Sequence, residues 1–190
     1  MLILPEHGAC FVCVPKTGTQ ALTQYLEKHL RTSESRKFSV ESLHDYHASL
    51  AEVDETGQLP FSIYNMWSFA VVRNPFERIV SYCASADLEF ERNPQESVKK
   101  TLIDFLENGQ NRWMFPQSYF TSGVKQLYRF EALDEAVRAL KVRFDISDKE
   151  PMPKVNESFH DRYPMYFDGD TKLLAEYAYA EDLQAFGYRF

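Results

Sequence analysis

The chain has 190 residues, of which 44% are hydrophobic and 15% aromatic, which is enough to build a sizeable core in one domain. The formal net charge of −7 implies no broad basic surface and disfavours nucleic acid as the main partner. No apolar run approaches the roughly 20 residues that a membrane-spanning helix needs. We therefore expect one globular domain over residues 1–190, without a membrane span and without a nucleic-acid partner.

The three cysteines provide no even disulfide framework, and residues 1–8, interpreted as a short lead-in, have no signal-peptide pattern. Both features favour a reducing, cytoplasmic location. Cys10 and Cys13 have the C-x-x-C spacing, but residues three apart on a strand point to opposite faces, and there is no second cysteine pair. We interpret both as buried strand residues and expect no metal site.

A strand, a tight loop and a helix are predicted near the start of the chain. The apolar run 10–14 predicts a strand, and the helical spacing of apolar residues after residue 20 predicts a helix that ends near Leu30. The loop between them contains Lys16, Thr17, Gly18, Thr19 and Gln20. A helix N-terminus attracts anions, the lysine adds a charge, the threonines add hydroxyl donors and the glycine permits close approach. The loop therefore predicts a site for a phosphate-like group.

A second strand-to-helix turn repeats this arrangement. Residues 67–72 form a near-continuous apolar run, typical of a strand that is covered on both faces. Arg73 follows it, and Asn74 and Pro75 are suited to the cap and the first position of a helix. On that helix Arg78 and Ser81 are predicted to lie, with Ser85, opposite the apolar side. Ser81 is either a ligand contact beside Arg73 or a surface hydroxyl, and Arg78 is either a surface or salt-bridge residue or a ligand contact.

The remaining pattern alternates helices and strands. Helices are predicted over 42–53 (with a start as late as residue 47), 97–107, 131–142 and 171–186, the last ended by Gly187, and a strand over 125–130. Residues 108–122 are predicted to be an aromatic-rich loop and residues 145–170 an irregular segment. This order predicts an α/β fold, a three-layer P-loop-like domain with a mainly parallel sheet flanked by helices and ligands at the carboxyl ends of the strands.

The first loop is not a Walker A loop, because Lys16 precedes the glycine and no G-x-x-x-x-G-K-[ST] is present. No acidic strand end suited to magnesium is evident either. A magnesium-nucleotide kinase is therefore disfavoured.

The ordered motifs resemble the sulfotransferases that use 3′-phosphoadenosine 5′-phosphosulfate (PAPS). Residues 14–19 look like the 5′-phosphosulfate loop of that family, and residues 72–82 look like its 3′-phosphate motif. Three later segments are similar to the membrane-associated carbohydrate sulfotransferase branch: residues 129–133, 155–158 and 179–183. The resemblance covers most of the chain in the right order.

The resemblance implies a role for each matching residue. Lys16 and the amides of residues 17–20 would bind the 5′-phosphosulfate, and Arg73 and Ser81 would bind the 3′-phosphate. Lys16 would also stabilise the leaving phosphate as the sulfuryl group moves in line to an acceptor hydroxyl, most simply that of a carbohydrate. The alternatives are a small-molecule kinase and a catalytically inactive nucleotide-binding module.

The general base is expected between the two motifs, where related enzymes have a His or Glu. His47 is the first candidate and His44 the second, with Glu41 or Asp45 next. His47 is expected at a helix N-terminus, which would keep its imidazole neutral, as a base requires.

Overall fold

A computed structural model describes residues 1–30, 46–87, 89–147, 149, 151–153 and 161–190. The chain forms two compact units. The first unit contains Met1–Val72 and Tyr119–Asn156, and the second contains Arg73–Ser118 and Glu157–Phe190.

The first unit contains a sheet with the strand order β1-β2-β3-β4. Its strands are β1 (Leu2–Leu4), β2 (Ala9–Val12), β3 (Trp67–Val72) and β4 (Gln126–Arg129). Both β2 and β4 are parallel to β3, which confirms the predicted α/β fold with a mainly parallel sheet. The interpretation of residues 1–8 as a lead-in is wrong for β1, which pairs antiparallel with β2. Three apolar residues are too few to show a strand pattern in the sequence.

Three helices of the first unit are α1 (Thr19–Leu30), α2 (Leu50–Glu55) and α6 (Leu133–Phe144). The apolar stripe of α1 and that of α6 share a core with Phe11 and Phe69 of the sheet. On the opposite sheet face, Cys10, Val12 and Ala70 are also fully buried. The near-continuous apolar strands therefore have both faces covered, as their sequences predict.

The second unit is helical in the described residues. Its helices are α3 (Pro75–Ala86), α4 (Pro94–Asn108), α7 (Gly169–Ala178) and α8 (Ala180–Phe186), and the short helix α5 (Gln117–Thr121) begins in it. Asn74 caps α3 by accepting a hydrogen bond from the Phe76 amide at 3.0 Å, and Pro75 is its first residue. Both predictions for this turn are confirmed.

The single helix predicted over 171–186 is wrong, because the chain breaks between α7 and α8 at Tyr179 (φ −120°, ψ 26°). The Tyr179 side chain is fully buried, and its hydroxyl donates to the Met114 carbonyl at 2.7 Å. No glycine or proline announces this break in the sequence. Gly187, in the left-handed conformation, ends α8 as predicted.

Other segments differ from the prediction only in detail. The segment 108–122, predicted as a loop, contains the 3₁₀ turn Arg112–Met114 and helix α5. The described part of the irregular segment 145–170 contains the 3₁₀ turn Tyr163–Tyr166 and the start of α7. Among the described residues, no helix is long and apolar enough to cross a bilayer.

Candidate functional site

The loop between β2 and α1 makes two left-handed turns. Lys16 has φ 64° and Gly18 has φ 75°; the first is uncommon for a residue with a Cβ. Both residues lie between the end of β2 and Thr19, the first residue of α1. Val72, the last residue of β3, lies at the same sheet edge because β2 and β3 are parallel. The loop thus lies at the carboxyl ends of the parallel strands.

Gly18 packs closely against the segment 129–133. A Cβ added at this position would lie 3.0 Å from Phe130 Cε2 and 3.6 Å from Leu133 Cδ2. The segment 129–133 and the loop are two of the segments that carry the family resemblance, and this contact shows that they pack against each other. Phe130 and Leu133 support the glycine turn from outside the anion site.

The two threonine hydroxyls have a different role from the predicted one. Thr17 Oγ1 and Thr19 Oγ1 both donate to the Val14 carbonyl, at 2.9 Å and 2.5 Å, and both side chains are buried. A hydroxyl has one hydrogen, so each presents only lone pairs to any other group. The prediction that these hydroxyls donate to an anion is therefore wrong for this conformation, in which they shape the loop.

The other donors of this loop are its backbone amides and the Lys16 side chain. The amides of Thr19 and Gln20 lie ahead of the first hydrogen bond within α1, which joins the Leu22 amide to the Gly18 carbonyl at 3.1 Å. The first turn of α1 contains no acidic residue, and its last turn contains Lys28. This donor set suits a phosphate or sulfate group.

His47 lies beside this loop in the first unit. Its side chain is 5% exposed, and its Nδ1 lies 2.6 Å from the carbonyl oxygen of Cys13. A carbonyl only accepts, so Nδ1 carries the hydrogen, and in the neutral imidazole the lone pair is then on Nε2. In this arrangement Nε2 is the ring nitrogen that can accept a proton.

The reason given for a neutral His47 is wrong, because His47 does not begin a helix. Helix α2 starts at Leu50, and Ser49 caps it in a capping box with Glu52. His47 precedes the cap by two residues, and helix-dipole effects fall off within the first turn. His44, Glu41 and Asp45 lie outside the described residues.

Arg73 belongs to the second unit, and both its backbone and its side chain have partners. Its amide donates to Gln117 Oε1 and its carbonyl accepts from Gln117 Nε2, each at 2.8 Å. Its Nη2 lies 3.3 Å from Glu77 Oε2, and the Arg73 side chain is only 12% exposed. Ser81, on α3 of the same unit, is buried. The surface-hydroxyl alternative for Ser81 is therefore excluded.

The interpretation of Arg78 as a surface or salt-bridge residue is wrong. Its side chain is 2% exposed, and its guanidinium donates to the carbonyls of Trp113 at 2.9 Å and Phe115 at 2.8 Å. The guanidinium also lies over the Tyr179 ring, 5.2 Å from the centroid. Arg78 therefore holds the segment 113–115 in place, and burial raises the pKa of the Tyr179 phenol beside it.

Two buried polar residues were missed in the sequence. Gln117 and Asp182 are both fully buried, and Asp182 accepts hydrogen bonds from the amides of Gln117 and Ser118 at 2.8 Å each. Asp182 lies in the segment 179–183 that carries part of the resemblance. A carboxylate at that position was the available signal, but its partner could not be read from the sequence.

All three cysteines are buried free thiols; Cys10 lies in β2 as predicted, whereas Cys13 follows the last residue of that strand. Burial raises the pKa of Cys10 to about 12 and that of Cys83 to about 11. In the described residues no group of three or more His, Cys, Asp or Glu side chains is arranged to hold a metal ion.

Comparison with known proteins identifies the family. A model of the sulfotransferase family matches residues 1–189, which is nearly the whole chain. The chain belongs to the sulfotransferase family. Searches of curated proteins and of solved structures gave no significant match. Family membership indicates a transferase that moves a sulfuryl group on a P-loop-like fold, and it fits the anion-binding loop described above.

Proposed function

We propose that this sulfotransferase moves a sulfuryl group from PAPS to an acceptor hydroxyl, and that the acceptor is a carbohydrate. The observation that carries the proposal is the loop between β2 and α1. It combines Lys16, a close-packed Gly18 and the first amides of a helix at the end of a parallel strand in a chain that belongs to the sulfotransferase family. The carbohydrate acceptor rests on the three later segments that resemble the carbohydrate branch.

The proposal assigns each phosphate to one unit of the protein. Lys16 and the amides of residues 17–20 bind the 5′-phosphosulfate in the first unit. Arg73 and Ser81 bind the 3′-phosphate in the second unit, where the forked guanidinium suits phosphate oxygens. The family match runs through both units, and we propose that they work as one sulfotransferase domain.

Two side chains perform the chemistry in this proposal. The donor supplies the sulfuryl group. Lys16 stabilises the negative charge that develops on the phosphate oxygen as its bond to sulfur breaks. His47 Nε2 takes the proton of the acceptor hydroxyl as the new bond from oxygen to sulfur forms. The products are a sulfate ester and adenosine 3′,5′-bisphosphate. The three free thiols are compatible with a reducing compartment, and we propose that the enzyme works in the cytoplasm.

The first test compares two ligands that differ only in the 3′-phosphate. Adenosine 3′,5′-bisphosphate should bind more tightly than adenosine 5′-monophosphate in a calorimetric titration with EDTA present. Arg73→Ala should raise the Kd for the bisphosphate at least about tenfold, because a charge-assisted hydrogen bond contributes roughly 1.5–3 kcal/mol. The same substitution should leave the Kd for the monophosphate nearly unchanged.

Arg92→Ala is the matched control, because Arg92 also pairs with a carboxylate on its own segment, Glu89, but is largely exposed. It should change neither affinity. The second test is transfer of labelled sulfate from PAPS to a panel of carbohydrate acceptors. Equal affinity for the bisphosphate and the monophosphate, together with binding of ATP and magnesium, would contradict the proposal and favour the kinase alternative.

A further inference from the structure

A buried side-chain amide holds the backbone of the residue assigned to the 3′-phosphate. Gln117 is fully buried. Its Oε1 accepts from the Arg73 amide and its Nε2 donates to the Arg73 carbonyl, both at 2.8 Å. The two bonds form a closed ring of the kind that two strands make, but with a side chain as one partner. They fix both peptide groups that flank the Arg73 Cα.

Arg73 lies between a strand and a helix, outside both elements. β3 ends one residue before it, at Val72, and α3 starts two residues after it, at Pro75. Gln117 therefore replaces the hydrogen bonds that a strand or a helix would supply. Since the Arg73 side chain starts from this fixed backbone, the amide determines where the guanidinium begins.

Asp182 sets the orientation of the Gln117 amide. Its Oδ2 accepts from Gln117 Nε2 at 3.2 Å and from the Gln117 backbone amide at 2.8 Å. Its Oδ1 accepts from the Ser118 amide at 2.8 Å. A carboxylate accepts and cannot donate, so a flipped amide would bring two oxygens together in a buried site. Only one orientation of Gln117 satisfies both Asp182 and Arg73.

We propose that Gln117 is a positioning residue for recognition of the 3′-phosphate, acting through the backbone of Arg73 and oriented by Asp182. This inference rests on the proposed function, because it needs Arg73 to contact that phosphate. Recognition of a phosphate by a guanidinium requires its placement within about 0.5 Å, which depends on the groups that hold it. Loss of the amide should therefore reduce 3′-phosphate recognition selectively.

The experiment measures, in each variant, the preference for the 3′-phosphate, defined as the Kd for adenosine 5′-monophosphate divided by the Kd for adenosine 3′,5′-bisphosphate. Gln117→Met keeps the length of the side chain and removes both bonds to Arg73. Its Kd for adenosine 3′,5′-bisphosphate should rise about tenfold, whereas its Kd for adenosine 5′-monophosphate should stay within about twofold of the parent. Gln95→Met is the matched control, because Gln95 also donates from Nε2 to a backbone carbonyl, that of Met165, but on the surface of the same unit. It should leave the ratio unchanged.

A second variant covers the case in which Gln117→Met does not fold. Gln117→Glu keeps the shape and the acceptor for the Arg73 amide, but a carboxyl group has at most one hydrogen, so it cannot donate to both the Arg73 carbonyl and Asp182. This variant should also lower the preference for the bisphosphate over the monophosphate. Equal losses for both ligands, or no loss for either, in a parent protein that prefers the bisphosphate would overturn the inference. A parent protein that shows no such preference would instead overturn the proposed function.

Discussion

Replacing Gly18 by alanine tests whether the close packing of the loop is what requires a glycine. Gly18 has φ 75°, and an added Cβ would lie 3.0 Å from Phe130 Cε2 and 3.3 Å from Phe130 Cδ2. Gly57 offers a matched control with φ 62° and no atom within 4 Å of an added Cβ. The two glycines share the left-handed backbone and differ in the contact.

The expected free energies follow from these two terms. A left-handed backbone with a Cβ costs about 1–2 kcal/mol, and the lower entropy of the unfolded chain offsets about 0.4–1 kcal/mol of it. Gly57→Ala should therefore lower the free energy of unfolding by about 1 kcal/mol. At Gly18 the Phe130 ring must also move, and overpacking of this kind costs about 1–3 kcal/mol. Gly18→Ala should therefore lower the free energy of unfolding by about 2–4 kcal/mol.

Guanidinium-induced unfolding of both variants measures this difference. Phe130→Leu supplies the third corner of a double-mutant cycle. In that background, Gly18→Ala should cost no more than Gly57→Ala does in the parent, because the ring edge is gone. Equal losses for the two alanine variants in the parent background would refute the reasoning, since the contact with Phe130 would then contribute nothing.

Three further predictions concern single side chains. His47→Asn, which keeps a donor for the Cys13 carbonyl and lacks Nε2, should retain stability but lower the transfer rate roughly 10²–10⁴-fold and abolish any loss of rate at acid pH; an unchanged rate would assign the base elsewhere. The native protein should resist a thiol reagent at about pH 8 and react fully when unfolded, because all three thiols are buried and burial raises the pKa of Cys10 and Cys83; a fast-reacting thiol would contradict this. Arg78→Met should lower the free energy of unfolding by about 3 kcal/mol or more, because the carbonyls of Trp113 and Phe115 lose charge-assisted hydrogen bonds; Arg78→Lys, with one point charge, should not restore it in a denaturation measurement.

The elements that the sequence predicts well are those with local causes. The strand β3 is a near-continuous apolar run of six residues, α3 begins with a capping asparagine and a proline, and α8 ends at Gly187. In each case the residues that determine the element lie within it or next to its end. The strand β1 and the break at Tyr179 have no such local signal, because pairing with β2 and a buried hydrogen bond to Met114 decide them.

The candidate site divides in the same way. Residue type and spacing placed Lys16, Gly18 and Arg73 after predicted strands, and the family resemblance suggested His47 between the two motifs. They did not identify the partners that set each group's role, because those partners are distant in the chain. The carbonyls that hold Arg78 come from residues 113–115, and the amide that holds Arg73 comes from Gln117.

The helices that follow the two proposed anion-binding turns differ in the acidic residues of their first turns, which bears on a chain of net charge −7. The first turn of α1 contains no acidic residue, which favours an anion near its amides. Arg73, by contrast, is 3.3 Å from Glu77 across one helical turn. A guanidinium has five N–H donors, so contact with Glu77 does not preclude phosphate binding, but the carboxylate repels the ligand. In the proposed function, recognition of the 3′-phosphate by Arg73 therefore depends on the placement of the guanidinium more than on its charge, and for this reason we propose a role for the amide of Gln117.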